Sequence, residues 1–285
     1  MKIRKYTLIL ILLCLIFPDE IKEEKNIFNQ TLGRDKDPKI ESDITKLQLY
    51  YRKSAWTILT FPGLRFLTNI IYPKSTISHF NVKEKIVAFT IDDGFYGIDN
   101  PSGSLINEVT ELFSKYDAKA TFFTSGSHCY LKFNDLDLFF KNGHEIANHS
   151  MYDWPYDRYS KKQFLEDFNM TDSILSQYTD YIPKWYRAPH AKFSKVMDIV
   201  LNEKGYKHVV CDIFANDTAI PDSKWIAKYI LNRVKPGSIL LIHMPEKGVR
   251  EWNFEAMEIT LIGLKKMGYK VVNLSELEQI SVKNK

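Results

Sequence analysis

The chain has 285 residues, with 39 Lys or Arg against 35 Asp or Glu and a formal charge of +4 at pH 7. Hydrophobic residues make up 45% and charged residues 26%, a globular composition that excludes a disordered, collagen-like or multi-pass membrane chain. The basic residues gather into no stripe, which argues against a nucleic-acid partner, and Cys14, Cys129 and Cys211 form no CxxC, so neither a disulfide scaffold nor a cysteine-rich zinc site is on offer.

In chain order, Lys2, Arg4 and Lys5 precede an unbroken apolar run from Tyr6 to Phe17. A basic flank followed by such a run is the signal-peptide pattern. No small-x-small cleavage site follows, and the run falls short of the roughly 20 residues a full span needs. Residues 1–20 therefore read as a signal peptide or signal-anchor, and both readings send the rest of the chain into the secretory pathway. The product is a secreted or membrane-anchored protein, with membrane contact through this segment and an extracytoplasmic catalytic domain. Residues 21–42 are polar, without apolar periodicity, and read as a stalk or linker. Residues 43–80 form a helical N-terminal extension, broken by Pro62-Gly63. Packing beneath the domain is preferred for it over lying on a membrane surface.

From about residue 84 the pattern becomes regular. Strand-like runs at 85–91, 120–124, 145–149, 185–188, 208–212, 238–243 and 269–274 alternate with helical stretches ending at Gly143, Gly205, Pro236-Gly237 and Gly268. Seven strand–helix units in series predict a parallel α/β domain over 81–285, as an open sheet or a closed barrel. No glycine-rich phosphate loop follows the first strand, which counts against a nucleotide site.

In such folds chemistry collects where the strands end. Those ends supply Asp92 and Asp93; His149, Ser150 and Asp153; Arg187, Pro189 and His190; Asp212 and Asp217; and His243. Singly, each has a bland reading: Asp92-Asp93-Gly94 as a turn, His149 as a core histidine, Arg187 in a structural ion pair. Five strands agreeing is a stronger signal, and His243 after SILLI needs a compensating partner. His79, His128 and His208 fall off this pattern, and His144 sits at the opposite end of its strand. Asp93, His149 and Asp153 form a candidate mononuclear metal set that leaves room for water and substrate. Zinc is the first choice, with manganese, cobalt or iron also compatible. Sequons occur at Asn29, Asn148, Asn169, Asn216 and Asn273, but Asn148 and Asn216 fall within the candidate site, where a glycan would block chemistry.

TIDDG at 90–94, ATFF at 120–123, GHEIANHS at 143–150, YRAP at 186–189 and GSILLIH at 237–243 resemble, in order and spacing, the motifs of the polysaccharide deacetylase family, the NodB-homology or carbohydrate esterase 4 group. The resemblance runs from about Lys85 to Leu277. It implies a distorted (β/α)7 barrel and metal-dependent N-deacetylation of an acetylated glycan of the chitin or peptidoglycan kind. It further implies Asp92 as general base, Asp93 and His149 as metal ligands, Arg187 as the group that orients Asp92, and His243 as general acid held charged by Asp217. The backbone N–H at His190, after Pro189, would face the oxyanion. Three positions depart from the family pattern. Asp153 stands where a second histidine is usual, as in a branch of the family, Thr218 replaces a tryptophan, and His190 replaces a tyrosine. These departures keep two alternatives in view: a catalytically inactive glycan-binding protein on the same fold, and a deacetylase of a membrane or lipid-linked sugar.

Overall fold

The computed structural model describes residues 44–61, 63–95, 104–129, 136–178, 181–182 and 184–283. The signal segment expected at 1–20 and the stalk expected at 21–42 lie outside them. The elements are α1 Lys46–Leu59, α2 Leu64–Ile71, β1 Ile86–Asp92, α3 Ile106–Lys115, β2 Ala120–Thr124, α4 Gly126–Cys129, α5 Leu136–Lys141, β3 Glu145–Asn148, α6 Lys161–Leu175, β4 Trp185–Tyr186, α7 Lys195–Glu203, β5 Lys207–His208, β6 Ile213–Phe214, α8 Ser223–Leu231, β7 Ile239–His243, α9 Trp252–Lys266, β8 Lys270–Val272 and α10 Leu274–Lys283. A 3₁₀ turn, Pro189–Ala191, follows β4.

The strands form one curled parallel sheet in the order β5-β4-β3-β2-β1-β7-β6, with β8 alongside the first half of β1. This is the distorted (β/α)7 architecture expected. The strands read as apolar runs because both faces are covered. Val87, Phe89 and Ile91 of β1 join Phe122, Ile146, Leu240 and Ile242 in the larger core cluster, which also contains residues of helices α3, α8 and α9. Ala88 of β1 points the other way, into a second cluster with Phe123, Ala147, Trp185 and Ile239. Side chains alternate along a strand, so Thr90 and Asp92 share the face of Ala88, and His243 shares that of Ile239. Period two alone brings Asp92 and His243 to one side of the sheet, where they are cross-strand partners in the β1–β7 register.

The expected fifth strand, 208–212, is corrected. Its run splits into β5, paired with β4, and β6, paired with β7 at the other end of the sheet order. One segment thus serves both edges of the curled sheet. Between them, Val209 N–H still bonds Tyr186 O at 2.8 Å, Val210 N–H bonds Ile77 O at 2.9 Å, and Asp212 N–H bonds Ile239 O at 3.2 Å. The incoming chain at Ile77 satisfies the middle of the segment, which is why it keeps its apolar character without a regular ladder. Gly94, just after β1, is required by close approach: a Cβ there would meet Thr124 Oγ1 at 2.2 Å.

Helices α1 and α2 lie on either side of Gly63, and α1 starts from a Thr45–Gln48 capping box. Asn148 and Asn216 are buried, so neither sequon is open to glycosylation in the folded chain. Cys129 and Cys211 are both free thiols. Among the described residues no helix is long and apolar enough to cross a membrane.

Candidate active site

Asp92 ends β1 and is buried. Its Oδ1 accepts a hydrogen bond from Arg187 Nη1 at 2.6 Å. The same guanidinium donates to Thr90 Oγ1 at 3.0 Å and to Val209 O at 3.2 Å, and it lies 4.0 Å from the centre of the Phe123 ring. A buried charge needs partners on several sides to repay its lost hydration. Arg187 has them, so it presents a fixed cation to Asp92.

On the adjacent strand, His243 Nδ1 lies 3.0 Å from Asp217 Oδ1, while its backbone N–H donates to Asp217 Oδ2 at 2.8 Å. Asp217 has no solvent-exposed surface. Burial opposes the imidazolium, but the Asp217 charge and hydrogen bond, with Asp93 and Asp92 behind, raise the His243 pKa above the ordinary histidine value. Burial likewise opposes the Asp217 carboxylate, and His243 and Arg250 more than offset it, so its pKa lies below the usual range.

Asp93, His149 and Asp153 converge, with one ligand atom from each lying within 4.8 Å of the others. His149 Nδ1 sits 2.9 Å from the carbonyl oxygen of Arg187. A carbonyl only accepts, so Nδ1 carries the proton and the Nε2 lone pair is left for a cation. Asp93 is buried, which disfavours its charge, yet Arg250, His243, His149 and His128 hold its carboxyl well below the ordinary range. Two carboxylates and one correctly protonated imidazole fit a divalent cation.

Pro189 is buried and His190 exposed. His190 turns its side chain to Asp153, with Nε2 at 3.1 Å from the Asp153 carbonyl and 3.5 Å from its carboxylate. The left-handed backbone clusters here. Asp93, Ser150, His190, Ala191, Asn216 and Arg250 all have φ between 53° and 65°, a conformation non-glycine residues adopt at a cost of about 1 kcal/mol or more each.

Sequence reasoning missed several members of this site. Arg250 Nη1 donates to Asp93 Oδ2 at 3.0 Å, and both residues are buried. Asn253 Nδ2 bonds Asp217 Oδ2 at 2.7 Å and His243 O at 3.0 Å, and Trp252 Nε1 bonds Asp217 O at 2.9 Å. The signal for these three was their place in the loop and helix start directly after the His243 strand. His128, placed off the site by its position in the sequence, helps hold down the Asp93 pKa. His79, His144 and His208 are accounted for elsewhere. His144 Nδ1 accepts from Ala120 N–H at the opposite strand ends, His208 stacks on Phe193 at 3.7 Å, and His79 Nδ1 meets Ser78 Oγ at 3.0 Å.

A model of the polysaccharide deacetylase family matches residues 79–209. A peptidoglycan-N-acetylglucosamine deacetylase of Bacillus cereus is 30% identical over 196 residues, which cover 68% of this chain and 88% of that protein. The chain belongs to the polysaccharide deacetylase family. Another similar member, the peptidoglycan-N-acetylmuramic acid deacetylase PdaC of Bacillus subtilis, is 26% identical over 197 residues, or 69% of this chain. The match spans 39% of that longer relative. Among solved structures, a CE4 family pseudoenzyme from Bacillus anthracis superposes with a TM-score of 0.63 at 21% identity, covering 72% of this chain and 69% of that one. That likeness establishes the deacetylase fold.

Proposed function

We propose that the chain hydrolyses N-acetyl groups on an amino-sugar polymer or oligomer, of the peptidoglycan or chitin kind. One observation carries this reading: a carboxylate clamped by arginine and an imidazole charged by aspartate stand at register-paired ends of neighbouring strands, beside a cation-ready triad. Binding alone needs neither a base nor an acid. We assign the activity to residues 81–285, carried outside the cytosol behind the N-terminal segment.

Asp93, His149 and Asp153 would hold the divalent cation, with zinc as first choice. Once bound, the cation supplies Lewis acidity toward the acetamide oxygen and toward water. Asp92, oriented by the Arg187 hydrogen bond, takes a proton from the attacking water as its oxygen bonds to the carbonyl carbon. The His190 amide N–H donates to the oxyanion of the tetrahedral adduct. As the C–N bond breaks, His243 Nε2 gives its proton to the departing nitrogen, leaving a free amine and acetate. Asp217 then steadies a neutral His243 until it is reprotonated.

The test is acetate release from acetylated chitin oligomers and from peptidoglycan. Turnover should require metal and vanish with a chelator. A metal-loaded protein that binds these glycans yet releases no acetate from any of them would establish the non-catalytic alternative, which Asp153, His190 and Thr218 motivate. Release only from a lipid-linked acetylated sugar would narrow the substrate to the membrane-bound class.

A further inference from the structure

Helices α1 and α2 pack on the barrel through Trp56, a member of the larger core cluster, with Leu49 and Leu59 against it, and through polar contacts. Arg52 donates to the Ala219 carbonyl at 2.8 Å, Lys53 pairs with Asp222, Trp56 Nε1 donates to the Phe214 carbonyl at 2.9 Å, and Thr60 shares a 2.6 Å hydrogen bond with the Tyr229 hydroxyl. On α2, Arg65 Nε pairs with buried Asp212 at 2.6 Å. The outward side is apolar. Leu47, Tyr50 and Ile58 share one stripe of α1, at 77%, 70% and 70% exposure. Phe61 between the helices is 86% exposed, and Phe66 and Ile71 of α2 are 57% and 63% exposed. With Tyr51 and Ile70, this short stretch holds eight of the thirteen exposed large hydrophobics among the described residues. Exposed apolar side chains concentrated in one segment point to an interaction site rather than ordinary surface scatter.

We propose that this face docks on an anionic lipid surface. Charge is the first argument. No Asp or Glu occurs from residue 44 to 83, and exposed Lys46 and Lys74 stand at the start of α1 and just after α2. Arg52, Lys53 and Arg65 are directed to the barrel, so its own acids hold the extension while the apolar and aromatic side faces out. Aliphatic and aromatic residues edged by lysine are the composition of an interfacial helix. The second argument is tether length. Residues 18–45, 28 positions, separate the apolar run ending at Phe17 from the start of α1. A random coil of that length spans about 30 Å, which would keep this face at bilayer distance in a protein held by its N-terminal segment. The tether argument rests on the anchored reading of residues 1–20, while the face itself does not.

The experiment uses the full chain with Cys14 and Cys211 replaced by serine, spin-labelled at Ile58→Cys or Phe66→Cys, with Met170→Cys on α6 as the solvent reference. Each is reconstituted with vesicles of phosphatidylethanolamine and phosphatidylglycerol. At positions 58 and 66, collisions with oxygen should exceed those with a water-soluble nickel chelate several-fold, while position 170 shows the reverse. Nickel accessibility at 58 and 66 equal to that at 170 overturns the proposal. Exclusion of both reagents overturns it too, because a second copy or the chain's own N-terminal segment then covers the face. Leu47→Cys and Ile70→Cys give the same reading if either first variant fails to fold. Label depth is independent of acetate release, so failure of the deacetylase reading would leave this result standing.

Discussion

At the scale of single residues, the site balances charge. Asp92 and Asp93 are neighbours in sequence but point to different partners. Asp92 continues the strand and meets Arg187, whereas Asp93 breaks from it at φ 58° and meets Arg250. His243 is held protonated by Asp217, so activity should persist to higher pH than an ordinary imidazole would allow and fall as pH rises through the raised His243 pKa. Asp217→Asn removes that support. Its alkaline limb should move to lower pH, and kcat should drop by about 10²–10⁴-fold, the usual contribution of a general acid. An unmoved limb in the pH–rate profile would take the proton donor's role from His243. Arg250 leads to a separate expectation. Its cation disfavours a second cation at Asp93, and unit charges 4 Å apart interact by about 4 kcal/mol at the effective dielectric near a protein surface. The Nη1 hydrogen bond it gives Asp93 is worth about 1.5–3 kcal/mol. Repulsion wins, so Arg250→Met should bind zinc more tightly in a competitive chelator titration, and weaker binding would show that Arg250 acts by placing Asp93. Asp92, Arg187 and His243 were legible in the sequence because each ends or adjoins an apolar strand. Arg250 was not, because it reaches Asp93 from a loop through a left-handed turn that leaves no pattern.

At the scale of elements, the same contrast holds. Strands β1, β2 and β7 could be read as apolar runs because burial on both faces imposes that composition. The hand-over from β5 to β6 could not, because a run of HVVCDIF looks the same whether one strand partner or two satisfy its backbone. Asp212 sits at that hand-over, accepting from Ile239 N–H at 2.7 Å, Ser238 Oγ at 3.0 Å and Arg65 Nε at 2.6 Å. Burial raises the Asp212 pKa, and Arg65 pulls it back down. Arg65→Met therefore strands a buried carboxylate and frees α2 from the barrel. Stability should fall by about 2–4 kcal/mol near neutral pH, below the full cost of a broken buried pair because Arg65 is itself part-exposed. The loss should shrink in acid, where Asp212 protonates. Denaturant melts of the variant at two pH values read both effects, and a neutral-pH loss below about 0.5 kcal/mol, the range of an ordinary surface substitution, would make the pair ornamental.

Across the whole molecule, pH acts on the core as well as on the site. His144 and His208 are buried without a carboxylate partner at hydrogen-bond distance among the described contacts, and burial lowers their pKa values to about 4 and about 3. Unfolded, both would take up protons near 6.5. The unfolded chain thus binds more protons between these limits, and stability, complete above about pH 6.5, is lost as pH falls toward 4 and then 3. Asp167 works against this trend. Burial raises its pKa to about 6, so its share of stability is present in acid and is lost as pH rises toward 6. Asp212 and Glu145, raised by burial in the same way, act with Asp167, while His79, lowered by burial to about 4, acts with His144 and His208. These histidines each contribute a fall in stability between pH 6.5 and 4, ahead of the acid loss from the low-pKa carboxylates Asp93 and Asp217. The two processes separate by substitution. His208 Nδ1 lies 3.0 Å from Thr76 Oγ1, a hydrogen bond His208→Gln can keep while removing the titration. That variant should show a flatter melting-temperature profile between pH 6.5 and 4 with an unchanged collapse below 4. A profile as steep as the parent's would place the acid sensitivity in His79, His144 and the site carboxylates and leave the aromatic stack around His208 a packing feature without consequence for pH.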